Sequence, residues 1–266
     1  MKHYGLIGFP LSHSFSKKYF TEKFEKEKIT DAKYDIYPLE HIKDLQDLLD
    51  KHPDLCGLNV TIPHKVNVIK YLDWVEEDAR TAGAVNCLRI RAESPVMAAF
   101  SGEVGVNGHD FRLEGFNTDI YGFEMSLRPL LTGDDYEALV LGDGGAAKAV
   151  KCVLQNLGIN YTVVTRSAHA ENLLFKDLTP ADLKRCKLII NTTPLGTYPK
   201  VHECPPIPYE AITDEHILYD LVYNPEKTLF LQKGEEKGAT IKNGYEMLIL
   251  QAEKSWEIWN SKEKHP

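Results

Sequence analysis

The chain has 266 residues, 43% of them hydrophobic and 26% charged, an ordinary balance for a soluble folded protein and one that argues against disorder. A formal net charge of −8 keeps it soluble and makes a nucleic-acid partner unexpected. The longest apolar runs, such as Ala138–Leu141 and Leu188–Ile190, are far too short to cross a bilayer, so no membrane association is expected either. The N-terminal MKHYGLIGFPLSHS has neither the apolar stretch nor the cleavage site of a signal peptide. Five scattered cysteines (Cys56, Cys87, Cys152, Cys186, Cys204) form no CxxC pair and read as free thiols of a reducing cytoplasm. Ten histidines show no HExxH-type spacing, and no metal site is expected.

Short β-branched runs alternate with longer amphipathic ones, the pattern of an α/β protein with mostly parallel sheets. In chain order the first half reads as strand Tyr4–Gly8, helix Ser16–Ile29, strand Lys33–Tyr37, helix His41–His52, strand Gly57–Ile62 and helix Lys65–Leu72. Strand Ala84–Ile90 opens a polar stretch, Arg91–Gly115, that reads as an inserted hairpin. Helix Ile120–Leu130 leads into a second series: strand Ala138–Leu141, helix Ala147–Leu157, and strands Tyr161–Thr165, Lys187–Asn191 and Ile217–Leu221. A last helix, Glu246–Trp259, carries Leu248, Leu250, Gln251 and Trp256 spread around it and is expected to pack on both sides. Two α/β series predict two domains with a ligand cleft between them.

The strand ending at Leu141 runs into Gly142-Asp143-Gly144-Gly145-Ala146-Ala147 and then a helix. In a dinucleotide-binding turn, Gly142 permits the sharp bend, Gly144 lets the backbone approach a pyrophosphate, and small Ala147 lets helix and strand pack closely. A glycine-rich turn alone is weak evidence and can be plain strand-to-helix punctuation. The next strand ends in Thr165-Arg166-Ser167, where an NAD site usually carries an acid. A guanidinium there suits a 2′-phosphate and favours NADP.

Asn59 and Thr61 alternate onto one side of a strand, and Lys65 follows at an expected helix start. The helix dipole disfavours a cation there, which suits a lysine for proton transfer, although an exposed lysine is the commoner outcome. Asn117-Thr118-Asp119 precedes a helix and reads as a cap, with or without a chemical role for Asp119. The hydroxyls of Ser14 and Ser16 either bind a small anion or cap the next helix.

Together these stretches resemble the shikimate dehydrogenase family over nearly the whole chain. The resemblance rests on PLSHSFS at 10–16, GLNVTIPHK at 57–65, TAGAVN at 81–86, NTD at 117–119, GDGGAAKA at 142–149, TRS at 165–167, NTTPLG at 191–196, DLVYNPEKT at 220–228 and NGYEMLILQA at 243–252. It implies an NADP-dependent, reversible reduction of 3-dehydroshikimate to shikimate, a step of aromatic amino-acid biosynthesis by way of chorismate. Lys65 and Asp119 would be the catalytic pair, and Ser14 and Ser16 would hold the substrate carboxylate. Asn59, Thr61, Asn86 and Gln251 would surround the ring hydroxyls, with Tyr223 nearby. Gly142, Gly144, Gly145, Ala146, Ala147, Thr165, Arg166, Ser167, Asn191 and Thr192 would border the cofactor.

The resemblance further implies a substrate domain of residues 1–118 and 240–266 enclosing a Rossmann-like NADP domain of residues 119–239, in a cytoplasmic monomer or homodimer. Departures from the family pattern are Lys17 in place of a usual proline, Asp143 inside the turn, Lys148 in place of arginine, and a long Ala92–Arg112 stretch. Two alternatives remain at this level: an NAD-using quinate/shikimate dehydrogenase, and a nucleotide-binding regulator of the same fold that has lost catalysis.

Overall fold

The structure is a computed structural model that describes residues 1–11, 14–92, 111–133, 135–167 and 172–263. Ser12 and His13 of the first motif, and residues 93–110 of the long stretch, lie outside the described residues. The chain divides into two compact units, Met1–Thr118 with Ala252–Pro266, and Asp119–Gln251.

In the first unit the strands are β1 (Lys2–Gly8), β2 (Ala32–Pro38), β3 (Leu55–Val60), β4 (Trp74–Val75), β5 (Cys87–Ala92) and β6 (Phe111–Phe116). They form one sheet in the order β2-β1-β3-β5-β6-β4. The β1 strand pairs in parallel with β2 and β3, whereas β5 runs antiparallel to β3 and β6. The β5–β6 ladder bears out the two arms of the expected hairpin, from Cys87↔Phe116 to Ala92↔Phe111. Helices α1 (Phe15–Lys26), α2 (Leu45–Lys51) and α3 (Glu77–Ala82) complete the first half.

Both faces of this sheet are covered, so its strands are apolar at consecutive positions. One face buries Ile7, Leu58, Val60 and Leu88 with Leu45 and Leu49 of α2. The other buries Tyr4, Leu6 and Tyr34 with Phe20 and Phe24 of α1 and with Ile258 and Trp259. Those last residues belong to a helix numbered α8 below. Trp259 stacks on Tyr4 at 4.9 Å between ring centroids and donates its indole N–H to the Leu88 carbonyl at 2.9 Å. Gly57 on β3 makes room for it, since a Cβ at that position would lie 2.3 Å from the indole. Arg89 joins β5 to the same segment: its Nε is 2.5 Å from the Glu114 carboxylate and its Nη1 donates to the Ile258 carbonyl at 3.2 Å.

The second unit holds β7 (Glu137–Leu141), β8 (Asn160–Thr165), β9 (Leu173–Leu174), β10 (Leu188–Asn191), β11 (Ile217–Asp220) and β12 (Thr240–Asn243). All pair in parallel, in the order β12-β11-β10-β7-β8-β9. Its helices are α4 (Thr118–Leu127, whose first residue belongs to the first unit), α5 (Gly145–Asn156), α6 (Pro180–Arg185), α7 (Leu229–Glu235) and the first turns of α8 (Tyr245–Asn260). The α5 helix buries Ala147, Val150, Val153 and Leu154 at helical spacing. Gly122 lets α4 approach α8, because a Cβ there would lie 2.6 Å from the Met247 carbonyl. The unit runs past the expected boundary at 239, because Thr240–Asn243 hydrogen-bonds to β11 as an edge strand.

One expected helix is absent. Residues 65–72 hold only a 3-10 turn, Asn67–Tyr71, in place of an α-helix starting at Lys65. The Lys65 carbonyl, which would open that helix, instead accepts from the Val85 backbone N–H at 2.8 Å, and Val66, Val68 and Ile69 are β-branched. The expected helices 41–52 and 120–130 each break into an α-helix and a 3-10 turn, the second beside Pro129.

A Gly57→Ala variant should lose about 1–3 kcal/mol of stability, the usual cost of overpacking a filled site. Urea unfolding followed by tryptophan fluorescence measures it, and an unchanged midpoint would show that Trp259 does not need the space.

Candidate active site

Most residues of the expected substrate site lie in the first unit, at the ends of its central strands. Ser14 caps α1, its Oγ accepting the Lys17 backbone N–H at 3.2 Å. A proline at position 17 would lack that N–H, so here the cap ties up one lone pair of Ser14. Lys17 also reaches Asp35 at 2.9 Å. Ser16 lies within the first turn of α1. Asn59 on β3 is 5% exposed and uses both ends of its carboxamide. Its Oδ1 accepts from the Tyr34 hydroxyl at 2.8 Å, and its Nδ2 donates to Ser255 at 2.9 Å.

Asn86, just before β5, is 3% exposed, and its Oδ1 accepts the Thr118 backbone N–H at 2.7 Å. The neighbouring Asn117 is held through its Nδ2 to the Ala84 carbonyl at 2.9 Å, and burial pushes the Glu76 carboxyl up. Asp119 follows in the first turn of α4. Thr61 packs its methyl over Gly8, where a Cβ would lie 2.4 Å away, and its carbonyl accepts the His64 backbone N–H. Lys65 follows this turn without an α-helix at its side. Buried His64, which the sequence does not single out, has its Nε2 2.5 Å from the Leu39 carbonyl. The remaining two expected substrate residues are in the second unit. Tyr223, after β11, is 39% exposed with its phenol raised by burial, and Gln251 on α8 donates to its own helix at Leu248.

The second unit carries the glycine turn. Gly142 sits at φ +104°, in the left-handed region that favours glycine, and a Cβ there would lie 2.9 Å from both Thr192 Oγ1 and Thr193 Cγ2. Gly144 and Gly145 differ: a Cβ on either would meet nothing within 4 Å. They lie exposed at the N-terminus of the twelve-residue α5, whose first N–H groups have no helical acceptor. Ala147 is fully buried, as its packing role requires, and Ala146 is partly buried. Sheet order reverses between β7 and β10, so the loops after these strands, 142–147 and 192–197, lie side by side at the switch point. At the end of adjacent β8, Arg166 and Ser167 are exposed and Thr165 Oγ1 donates to the Ser167 carbonyl. An open backbone cradle, a helix N-terminus and a neighbouring guanidinium fit a dinucleotide with a 2′-phosphate.

The Asp143 carboxylate is 2.5 Å from Lys151 Nζ and 3.4 Å from Asn172 Nδ2. Behind the turn lies a buried polar group that sequence reading missed. Asp220 at the end of β11 accepts from Asn191 Nδ2 at 2.9 Å, Thr228 Oγ1 at 2.5 Å and the Val222 backbone N–H at 3.0 Å. Asn191 Oδ1 in turn accepts the Thr193 backbone N–H and hydroxyl at 3.0 and 2.6 Å. Asn191 is fully buried, and Thr192 donates its hydroxyl to the Leu141 carbonyl at 2.8 Å. Both residues therefore shape the loop at the switch point through their side chains.

Among the described residues, no cluster of His, Cys, Asp or Glu could hold a metal ion, and no helix is long and apolar enough to cross a membrane.

The strand order and the glycine turn define an α/β protein with a Rossmann-type nucleotide-binding unit. Residues 6–88 match the family described as the shikimate dehydrogenase substrate binding domain. A Shikimate dehydrogenase (NADP(+)) of Clostridium beijerinckii is 37% identical over 97% of this chain and 92% of its own. One from Methanococcus aeolicus is 34% identical over 96% and 90%. Among solved structures, the Thermus thermophilus shikimate 5-dehydrogenase in complex with NADP(H) and shikimate superposes with a TM-score of 0.79. It is 27% identical, over 98% of this chain and 94% of that one. The chain belongs to the shikimate dehydrogenase family.

Burial raises the Asp220 carboxyl from 3.8 to about 6. A folded-state pKa above the unfolded one means stability that is present at low pH and lost as pH rises from 3.8 to about 6. Relative to Asp220→Asn, the wild type should lose about 3 kcal/mol across that window and nothing further above it. Urea unfolding of both proteins at a series of pH values reads this directly, and parallel curves would show that folding leaves the Asp220 pKa unshifted.

Proposed function

We propose that this protein is an NADP-dependent oxidoreductase acting on a CH–OH group, and that it interconverts 3-dehydroshikimate and shikimate. The observation that carries the proposal is the full-length relationship to NADP-dependent shikimate dehydrogenases in a chain that keeps Asn59, Thr61, Lys65, Asn86 and Asp119 together with an open phosphate turn. The first unit binds substrate and the second binds NADP. Gly142, Gly144, Gly145, Ala146 and Ala147 form the pyrophosphate turn, Thr165, Arg166 and Ser167 take the 2′-phosphate, and Asn191 and Thr192 border the nicotinamide side.

When bound, NADPH supplies the hydride. The protein supplies placement and a proton. Ser14 and Ser16 hold the substrate carboxylate, while Asn59, Thr61, Asn86, Tyr223 and Gln251 orient the ring oxygens. As the carbonyl carbon gains hydride, Lys65 protonates the oxygen, which becomes the new hydroxyl. Asp119 hydrogen-bonds that hydroxyl and keeps Lys65 oriented. The reverse reaction uses Lys65 as base. The five cysteines form no disulfide among the described residues, which suits a cytoplasmic enzyme working as a monomer or homodimer on small-molecule substrates alone.

Mixing the protein with shikimate and NADP+ should produce the absorbance of reduced cofactor, with NAD+ and quinate as controls for the related specificities. Lys65→Ala should lower kcat by at least ~100-fold while NADPH binding persists, the usual range for a general acid–base group. Near-normal kcat in that variant would remove Lys65 from the mechanism. Arg166→Ala should weaken NADP+ binding roughly 10–150-fold, equivalent to losing a charge-assisted hydrogen bond, and leave NAD+ binding little changed. Equal weakening of both cofactors, read by fluorescence titration, would place Arg166 away from the 2′-phosphate.

A further inference from the structure

The first unit contains a chain of buried hydrogen bonds in which the two carboxamides can be oriented atom by atom. Asn59 Nδ2 lies 3.4 Å from the Asn86 backbone oxygen, which can only accept, so the amide nitrogen must be on that side. Its Oδ1 then faces Tyr34 at 2.8 Å, and the phenol must donate. On the other side Asn59 Nδ2 donates to Ser255 Oγ at 2.9 Å.

The far end is fixed independently. The Thr118 backbone N–H can only donate, so the atom it meets on Asn86 at 2.7 Å is the carboxamide oxygen. The Thr118 hydroxyl donates to that same oxygen at 3.2 Å. The Thr118 and Ser255 hydroxyls share a further hydrogen bond at 3.2 Å. The chain thus runs from Tyr34 through Asn59, Ser255 and Thr118 to Asn86. Cys87 also touches Ser255, but burial pushes its thiol up to about 12, so it stays a neutral and weak partner. Every member is buried, and Ser255 is fully so.

The consequence lies at Asn86. Its oxygen already accepts two hydrogen bonds, while its Nδ2 has no partner among the described residues. It can face a ligand only as a donor. Asn59, with both N–H groups engaged, keeps one lone pair and can only accept. We propose that Ser255 is a positioning residue of the substrate site, linking Asn59 to Thr118 so that Asn86 presents its NH2 group, and Asn59 its oxygen, to neighbouring oxygens of the substrate. This inference rests on the shikimate dehydrogenase reading above, since that reading supplies the ligand. Tyr34 serves the same chain by donating to Asn59.

Kinetics of the wild type, Ser255→Ala and Ser255→Thr with shikimate and NADP+, alongside thermal unfolding, test the proposal. Alanine suits a helix at this position, so Ser255→Ala is expected to fold. It should raise KM for shikimate about tenfold, comparable to one lost hydrogen bond, with KM for NADP+ within about twofold of wild type. Ser255→Thr, which restores the hydroxyl, should recover most of the loss. A lower Tm with unchanged KM for shikimate, or no recovery with threonine, overturns the proposal and leaves Ser255 a packing residue. A wild type that does not oxidise shikimate defeats the functional reading instead. The chain is then judged by the side-chain amide signals of Asn59 and Asn86 in 15N-labelled protein. Ser255→Ala shifts both signals if the chain is as described, and an unmoved Asn86 signal overturns it.

Discussion

The indole of Trp259 occupies the space that a side chain at position 57 would need, and the arrangement of the first unit follows from that substitution of one group for another. Because Gly57 is bare, α8 settles directly onto β3, and its indole N–H satisfies a carbonyl of β5. Ser255 lies one helical turn before Trp259 on the same helix face, so seating the indole also seats the hydroxyl between Asn59 and Thr118. The buried Arg89–Glu114 pair holds the same stretch through the Ile258 carbonyl. Such a pair contributes little net stability, since desolvation offsets most of the attraction, but losing one partner would strand a buried charge.

The two units solve a common problem by different means. Loops at strand ends must be held still while remaining open to a ligand, and each unit does this with buried, hydrogen-bonded polar groups. In the first the groups are neutral amides and hydroxyls. In the second a carboxyl, Asp220, grips Asn191 and through it the backbone of the loop beside the glycine turn. The turn itself needs no side chain, and Asp143 within it pairs with Lys151.

The architecture was legible in the sequence wherever a local rule sufficed. Strand and helix periods marked the two series, and the glycine turn fell where Gly142, Gly144 and Ala147 placed it. Local rules failed at residues 65–72, where the Lys65 carbonyl bonds to Val85 and no helix can open. They were also silent on Tyr34, Ser255 and Asp220, whose roles depend on partners distant in the chain. A signal for one of these did exist. Ser255 falls in the buried stripe formed with Ala252 and Trp259, and a polar residue in such a stripe needs a hydrogen-bond partner. Asp220 showed less, being an acid at a strand end like many others. Asn59, Asn86, Lys65 and Asp119 stood out through motif resemblance, and nothing in their spacing alone would have distinguished them from caps and surface residues.

The order of residues along the chain has a consequence for biosynthesis. The second unit is one continuous stretch, Asp119–Gln251, whereas the first is completed by residues that follow it. A nascent chain emerging from the ribosome therefore exposes Tyr4, Phe20 and Tyr34 long before Trp256 and Trp259 arrive to cover them. The nucleotide-binding half has all its strands in hand while the other half still lacks a wall. Domains generally fold as units as they emerge. Here the segment made first closes last, and its uncovered aromatic face is the surface that a chaperone would meet during synthesis.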